Sequence, residues 1–191
     1  MTARLNCEDA LIVIDVQNDF CPGGLLAVNR GDEVVPVLND WIEQARQARA
    51  TIVISRCWHP PRHVSFTERG GIWPAHCVQG SAGAEFHPDL KLPVEAIIIS
   101  KGMNPDKDNY SDFEGTGLTE RLRAAGVRRV WVGGLAQDIC VRATVLDALK
   151  AGFETYLIND ATRPVDLTPG DGDRAVAEML AAGARLASDD A

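Results

Sequence analysis

Four kinds of side chain in this sequence could do chemistry together: a thiol, a carboxylate, an ammonium and a group of imidazoles. Cys140 lies in Gly133-Gly-Leu-Ala-Gln-Asp-Ile-Cys-Val141, where an apolar run over Arg129–Val132 enters a glycine-containing turn. The stripe Val141, Val145, Leu149 predicts a helix starting near Asp138, with Cys140 in its first turn. The partial positive charge at a helix start favours thiolate, the nucleophilic form of cysteine. The plain alternative is a small buried hydrophobe. Asp15 closes the first apolar run, inside Ile14-Asp-Val-Gln-Asn-Asp-Phe20, where an unpaired carboxylate would be costly. Lys101 directly follows Ile97-Ile-Ile-Ser100. Taken together, the ammonium favours thiolate, and the carboxylate can take the thiol proton and pass it to a leaving amine. Backbone N–H groups of the Leu135–Cys140 turn could stabilise an oxyanion. That set suits acyl transfer to water through a thioester. A salt bridge for Asp15 and a solvated surface position for Lys101 are the alternatives.

A second constellation is richer in nitrogen and sulfur. Cys57-Trp-His59-Pro-Pro-Arg-His63 and Trp73-Pro-Ala-His76-Cys77 gather three imidazoles and two thiols. Cys-x-His puts two ligand atoms on one side of an extended chain. A third ligand from His76 or His63 would leave an open coordination position, as in catalytic rather than structural zinc. Hydrogen-bonded loop histidines and a buried Cys57 would explain the same residues without a metal. Glu68 reads as a solvated charge and His87 as structural.

The elements that must position these groups follow from the hydrophobic pattern. Continuous apolar runs at Ala10–Val16, Thr51–Ser55, Ala96–Ser100, Arg129–Val132 and Glu154–Ile158, with a weaker one at Ala184–Ala187, predict strands buried on both faces. Helical patterns over Asp32–Ala48, Thr116–Ala125, Asp138–Ala151 and Asp171–Ala182 alternate with them, and Gly126, Gly152 and Gly183 punctuate the helix ends. The expected fold is α/β: one domain over residues 1–191, a three-layer α/β/α sandwich with a mainly parallel, Rossmann-like sheet of about six strands. The irregular segments Arg56–Pro93 and Lys101–Gly115 are longer than a crossover requires, which marks them as functional. Asp15, the Cys57–His59 region, Lys101 and Cys140 all fall at carboxyl ends of strands, where open α/β sheets bind ligands.

Composition narrows the partners. A net charge of −8 without a Lys/Arg cluster argues against nucleic acid and anionic membranes. No apolar run is long enough to span a bilayer, and the first residues carry no signal-peptide hydrophobic region. Five scattered cysteines fit a reduced, cytoplasmic protein. A small-molecule amide is the expected partner, and a homo-oligomer stays open.

The order of several segments resembles the nicotinamidases and pyrazinamidases of the isochorismatase-like cysteine hydrolase superfamily. The segments are Ile14-Asp-Val-Gln-Asn-Asp-Phe-Cys-Pro-Gly-Gly24, Trp58-His-Pro-Pro-Arg-His-Val-Ser-Phe66, Trp73-Pro-Ala-His-Cys-Val-Gln-Gly80, Lys101-Gly, Tyr110-Ser-Asp-Phe113, Gly134-Leu-Ala-Gln-Asp-Ile-Cys-Val141 and Asp160-Ala-Thr-Arg-Pro164. The resemblance implies a Cys140–Asp15–Lys101 triad, a cis peptide at Leu135–Ala136, and an oxyanion site from the Ala136 and Cys140 amides. It also implies a substrate site over Phe20, Trp73 and Leu135. One divalent metal would be held by His59, His76 and Cys57, with His63 a further candidate. Such a metal would bind the ring nitrogen of nicotinamide and orient the carboxamide toward the thiolate; the resemblance also implies a role in NAD salvage. In one place the chain departs from the pattern: Cys57 stands where the family usually has Asp, which favours zinc over manganese, with iron also open. The expected activity is hydrolysis of nicotinamide, and of pyrazinamide, to the acid and ammonia. The rivals are a metal-independent hydrolase of N-carbamoyl or other small amides, and a catalytically silent small-molecule or metal-binding domain.

Overall fold

In the computed structural model, which describes residues 4–187, six parallel strands form one sheet in the order β3-β2-β1-β4-β5-β6. The strands are β1 (Asp9–Ile14), β2 (Thr51–Cys57), β3 (Ile97–Lys101), β4 (Arg129–Leu135), β5 (Glu154–Arg163) and β6 (Arg185–Leu186). Every residue of β1 is buried, as its unbroken apolar run requires of a central strand covered on both faces. The helices are α1 (Val34–Ala48), α2 (Leu118–Ala124), α3 (Arg142–Lys150) and α4 (Asp171–Ala181). Helix α1 buries Val34, Val35, Leu38, Trp41, Ile42 and Ala45, a single stripe at helical spacing.

From the central β1–β4 pair the chain winds outward in both directions. Right-handed crossovers then place α1 on one face and the mutually packed α3 and α4 on the other. The expected sandwich is observed, with every strand pairing parallel. Where the winding direction reverses, the connections at the carboxyl ends of β1 and β4 diverge and open a crevice. Gly134 sits at this point with φ 124°, and a Cβ there would come within 2.1 Å of the Ile14 carbonyl oxygen. Only glycine lets β4 lie this close to β1 immediately before the turn that carries Cys140.

Two details differ from the sequence pattern. Cys140 is not in the first turn of an α-helix: a wide, π-helical turn over Gln137–Val141 precedes α3. The apolar spacing that marks α3 cannot reveal this extra residue, and such turns recur at functional sites. The long segment after β2 contains no strand up to β3; its order comes from isolated bridges (His59 to Val78, Phe66 to Trp73) and single 3-10 turns.

Candidate active site

Asp15, the residue after β1, adopts a left-handed backbone with φ 51°, which Asp tolerates better than most side chains. Its amide donates to the Ser55 carbonyl (3.1 Å), tying the turn to β2. Lys101 ends β3 in register with Cys57 at the end of β2. Its ammonium, fully buried, pairs with both oxygens of Asp15 and lies 3.1 Å from Asp112 Oδ1. Cys57 Sγ donates to Asp15 Oδ2 at 3.5 Å. Gln17 fixes Cys57 from the backbone: its Nε2 donates to the Cys57 carbonyl and its Oε1 accepts from the Cys57 amide, both at 2.8 Å. The turn after β4 delivers Cys140, so that a carboxylate oxygen of Asp15 and the sulfurs of Cys57 and Cys140 all lie within 4.8 Å of one another. The peptide bond Leu135–Ala136 is cis, and the Ala136 carbonyl accepts from the Ile139 and Val141 amides at 3.1 Å each.

Two carboxylates therefore share one ammonium in a dry setting. Burial pushes Asp15 up to about 6, helped by the neighbouring Cys57 and opposed by Lys101. Burial works against the charge on Lys101, but Asp112 and Asp15 outweigh it and hold its pKa well above the usual value. Burial likewise raises Asp112. The hydrogen bond with Cys57, together with burial, raises Cys140; the hydrogen bond with Cys140 and the charge of Lys101 bring Cys57 down to about 6. In chemical terms, Asp15 is a carboxylate that can hold or release a proton near neutrality, beside two thiols that compete for it.

Above this floor is an open cleft lined by Phe20, Trp73, His59, His76, Tyr110 and Ala136, with Cys57 and Cys140 at its base. Trp73 Nε1 donates to the Tyr110 hydroxyl at 3.0 Å, which fixes the indole. His59 Nδ1 pairs with the Gly102 carbonyl (3.0 Å) and His76 Nδ1 with the Pro74 carbonyl (2.8 Å), so each ring keeps Nε2 free. Gly102 is required here: its φ is 68°, and a Cβ would lie 2.4 Å from the His59 ring. The two rings are 5.0 Å apart between centroids. Burial lowers the pKa of His59, His63 and His76, which favours the neutral rings, and leaves the free Nε2 of His59 and His76 able to ligate. Two carbonyl-anchored imidazoles that keep Nε2 free are donors that suit zinc, while the Cys57 sulfur is grouped with Asp15 and Cys140.

Not every expected site residue joins the cleft. Leu135 is fully buried and does not line it; its side chain packs toward Gly31 in the core. His63 spends both ring nitrogens inside the protein, on the Ser65 hydroxyl (2.7 Å) and the Lys107 carbonyl (3.2 Å), so in this arrangement it supports the wall and has no free ligand atom. Cys57 lies closer to the floor than its pairing with His59 suggests: among the described residues, the close-set group of three ligand-type side chains is Asp15, Cys57 and Cys140. Glu68 is exposed, as expected. Asp112, the second carboxylate on Lys101, escaped the sequence reading because it lies in an irregular segment. Its one signal is an acidic residue between Ser111 and Phe113, in a stretch that is otherwise a plausible core contact.

The Isochorismatase domain model matches residues 9–190. The chain belongs to this family. It is 40% identical over 198 residues to a nicotinamidase of Escherichia coli (strain K12), covering 93% of each chain. Among solved structures it is similar to the pyrazinamidase of Pyrococcus horikoshii in complex with zinc, with a TM-score of 0.90, 51% identity and coverage of 94% of this chain and 98% of that one. A protein of L. infantum in complex with nicotinate matches with a TM-score of 0.88 and 37% identity, over 97% of this chain and 96% of that one. No helix among the described residues is long and apolar enough to cross a membrane.

Proposed function

We propose that this chain hydrolyses the carboxamide of nicotinamide, giving nicotinate and ammonia, and accepts pyrazinamide in the same way. One observation carries the reading: Cys140 at the base of an aromatic cleft, with the Asp15 carboxylate within 4.8 Å and Lys101 paired to that carboxylate. Asp15 takes the Cys140 proton, and the thiolate attacks the carboxamide carbon. The Ala136 and Cys140 amides face the developing oxyanion. Asp15 then returns the proton to departing ammonia, leaving an acyl thioester on Cys140. Water, deprotonated by Asp15, cleaves the thioester to the acid and restores the thiol. Lys101 keeps Asp15 oriented, and Asp112 in turn holds Lys101.

Phe20 and Trp73 offer flat apolar faces to an aromatic ring, and closing on it brings the amide and thiol into one geometry. His59, His76 and Cys57 would hold one divalent metal, zinc by the softness of the donor set. When bound, it supplies a Lewis acid for the ring nitrogen, which positions the substrate. The five cysteines are all free, which suits a reduced compartment and hence a cytoplasmic enzyme.

Acid quenching during turnover of nicotinamide tests the reading. A nicotinoyl group should appear on the tryptic peptide 130–142, which contains Cys140 as its one cysteine. Turnover with no adduct there, or with the adduct on another residue, would contradict it.

A further inference from the structure

Of the buried cysteines, Cys57 is the one whose sulfur lies beside the nucleophile, and the hydrolytic steps make no use of it. It is buried at the end of β2, held at its backbone by Gln17, and lines the base of the cleft with its sulfur within 4.8 Å of Cys140 Sγ. A resident nucleophile with a second thiol this near is the arrangement found in peroxide-sensing pairs, where one sulfur reacts and the other resolves the product. Both cysteines line the cleft, and hydrogen peroxide is only slightly larger than a water molecule. We propose that Cys57 and Cys140 form a reversible oxidation site, in which Cys57 resolves the hydroperoxide-oxidised nucleophile as an intramolecular disulfide. The proposal rests on Cys140 being the nucleophile of the hydrolytic reaction.

The steps balance. Asp15 takes the Cys140 proton and the thiolate attacks one oxygen of hydrogen peroxide; an S–O bond forms, the O–O bond breaks, and the departing hydroxide takes that proton from Asp15 as water, giving a sulfenic acid. Cys57 sulfur attacks Cys140 sulfur; the S–S bond forms, the S–O bond breaks, and the departing hydroxide takes the Cys57 proton as water. Two thiols and one peroxide give one disulfide and two waters, the sulfurs oxidised by two electrons and the peroxide reduced by two. The sulfurs must close from at most 4.8 Å to bonding distance, about 2.05 Å, and Cys140 lies on a π-helical turn rather than in a regular helix interior. Without a resolving thiol, a sulfenic acid proceeds to sulfinic and sulfonic acids, which ordinary thiols do not reverse. Cys57 would thus spare the nucleophile from permanent loss, and a metal held through the Cys57 sulfur would compete with disulfide formation.

Trypsin separates the partners: Cys57 falls in peptide 57–62, Cys77 in 70–91 and Cys140 in 130–142. The protein as purified is exposed to hydrogen peroxide, blocked with an alkylating reagent and mapped by mass spectrometry, with hydrolysis of nicotinamide followed in parallel. The expected result is a linked pair of peptides 57–62 and 130–142, with activity lost on peroxide treatment and regained with dithiothreitol. In Cys57→Ser the same treatment should instead leave peptide 130–142 as sulfinic or sulfonic acid, with no recovery of its thiol. Over-oxidised Cys140 beside an unmodified Cys57 in the unmutated protein, or Cys140 linked to Cys77, would overturn the proposal. Because the link is read by mass, it is judged apart from the hydrolytic reading: an untreated protein that forms no acyl adduct on Cys140 contradicts that reading, whatever the peptides show.

Discussion

Asp15, Lys101 and Cys140 stand at or just beyond the ends of strands in one sheet, whereas His59, His63 and His76 stand on a segment that has no regular element of its own. The first group is placed by a ladder of backbone bonds and by burial on both faces of the sheet. The second is placed by individual carbonyls: Gly102 for His59, Lys107 for His63 and Pro74 for His76. A floor built on strand ends has one geometry, and its chemistry depends on charges that cannot reach water. A wall built on loop contacts has a shape that can drift while the floor stays put. Divergence therefore costs less on the wall. Cys57 lies at the boundary of the two: it ends β2 beside the loop that carries His59, and its sulfur belongs to the floor.

The contrast can be broken most severely at the nucleophile. Cys140→Ala should lower turnover by about 10^4-fold or more while nicotinate binding, followed by tryptophan fluorescence, changes little. Retained turnover would remove the floor from the chemistry. Lys101→Met comes next. It leaves the buried Asp15 and Asp112 carboxylates without their shared cation, which should cost about 3–5 kcal/mol of stability in urea unfolding, with turnover falling in step. If stability is unchanged, the floor is not held by this ion pair.

Wall substitutions should act differently. His76→Ala, or prolonged chelation, should raise KM about 10–100-fold through loss of metal-dependent positioning, while the urea midpoint moves little. A large loss of stability with unchanged KM would make the wall structural. The smallest expected effect is Trp73→Phe, which keeps the aromatic face and removes the bond to Tyr110. A loss of about 1 kcal/mol, or roughly fivefold in kcat/KM, is expected.

Acidity probes the floor through Asp15. Folding raises the pKa of Asp15 from 3.8 to about 6, since burial disfavours its charge. The folded chain then binds this proton more tightly than the unfolded chain. The stability from Asp15 is fully present below 3.8 and is lost as pH rises through about 6. Catalysis runs the other way, because the base form is needed: kcat/KM should rise with pH through about 6. A kcat/KM that is flat through this range would mean that Asp15 is not the base.

Legibility in the sequence follows the same division. The floor could be read because each of its residues adjoins an apolar run, and runs buried on both faces announce strands. The sheet and its helices were legible for the same reason. The π-helical turn at Gln137–Val141 was not, since helical stripes record which face is buried and not how many residues make a turn. Asp112 was missed because the segment after β3 has no periodicity, and its partner Lys101 is close only in space. His63 was placed at the site by its spacing from Cys57 and His59, and Leu135 by its position in a matching segment; the bonds of His63 to Ser65 and Lys107, and the packing of Leu135 against Gly31, are decided by side-chain directions that spacing does not record.

The most direct measurement of the central claim is ammonia release from nicotinamide by the purified, zinc-loaded protein, with Cys140→Ala as the blank. The account predicts release well above the blank, and comparable release from pyrazinamide. Equal rates in the two proteins, or activity confined to carbamoylated amines, would contradict it.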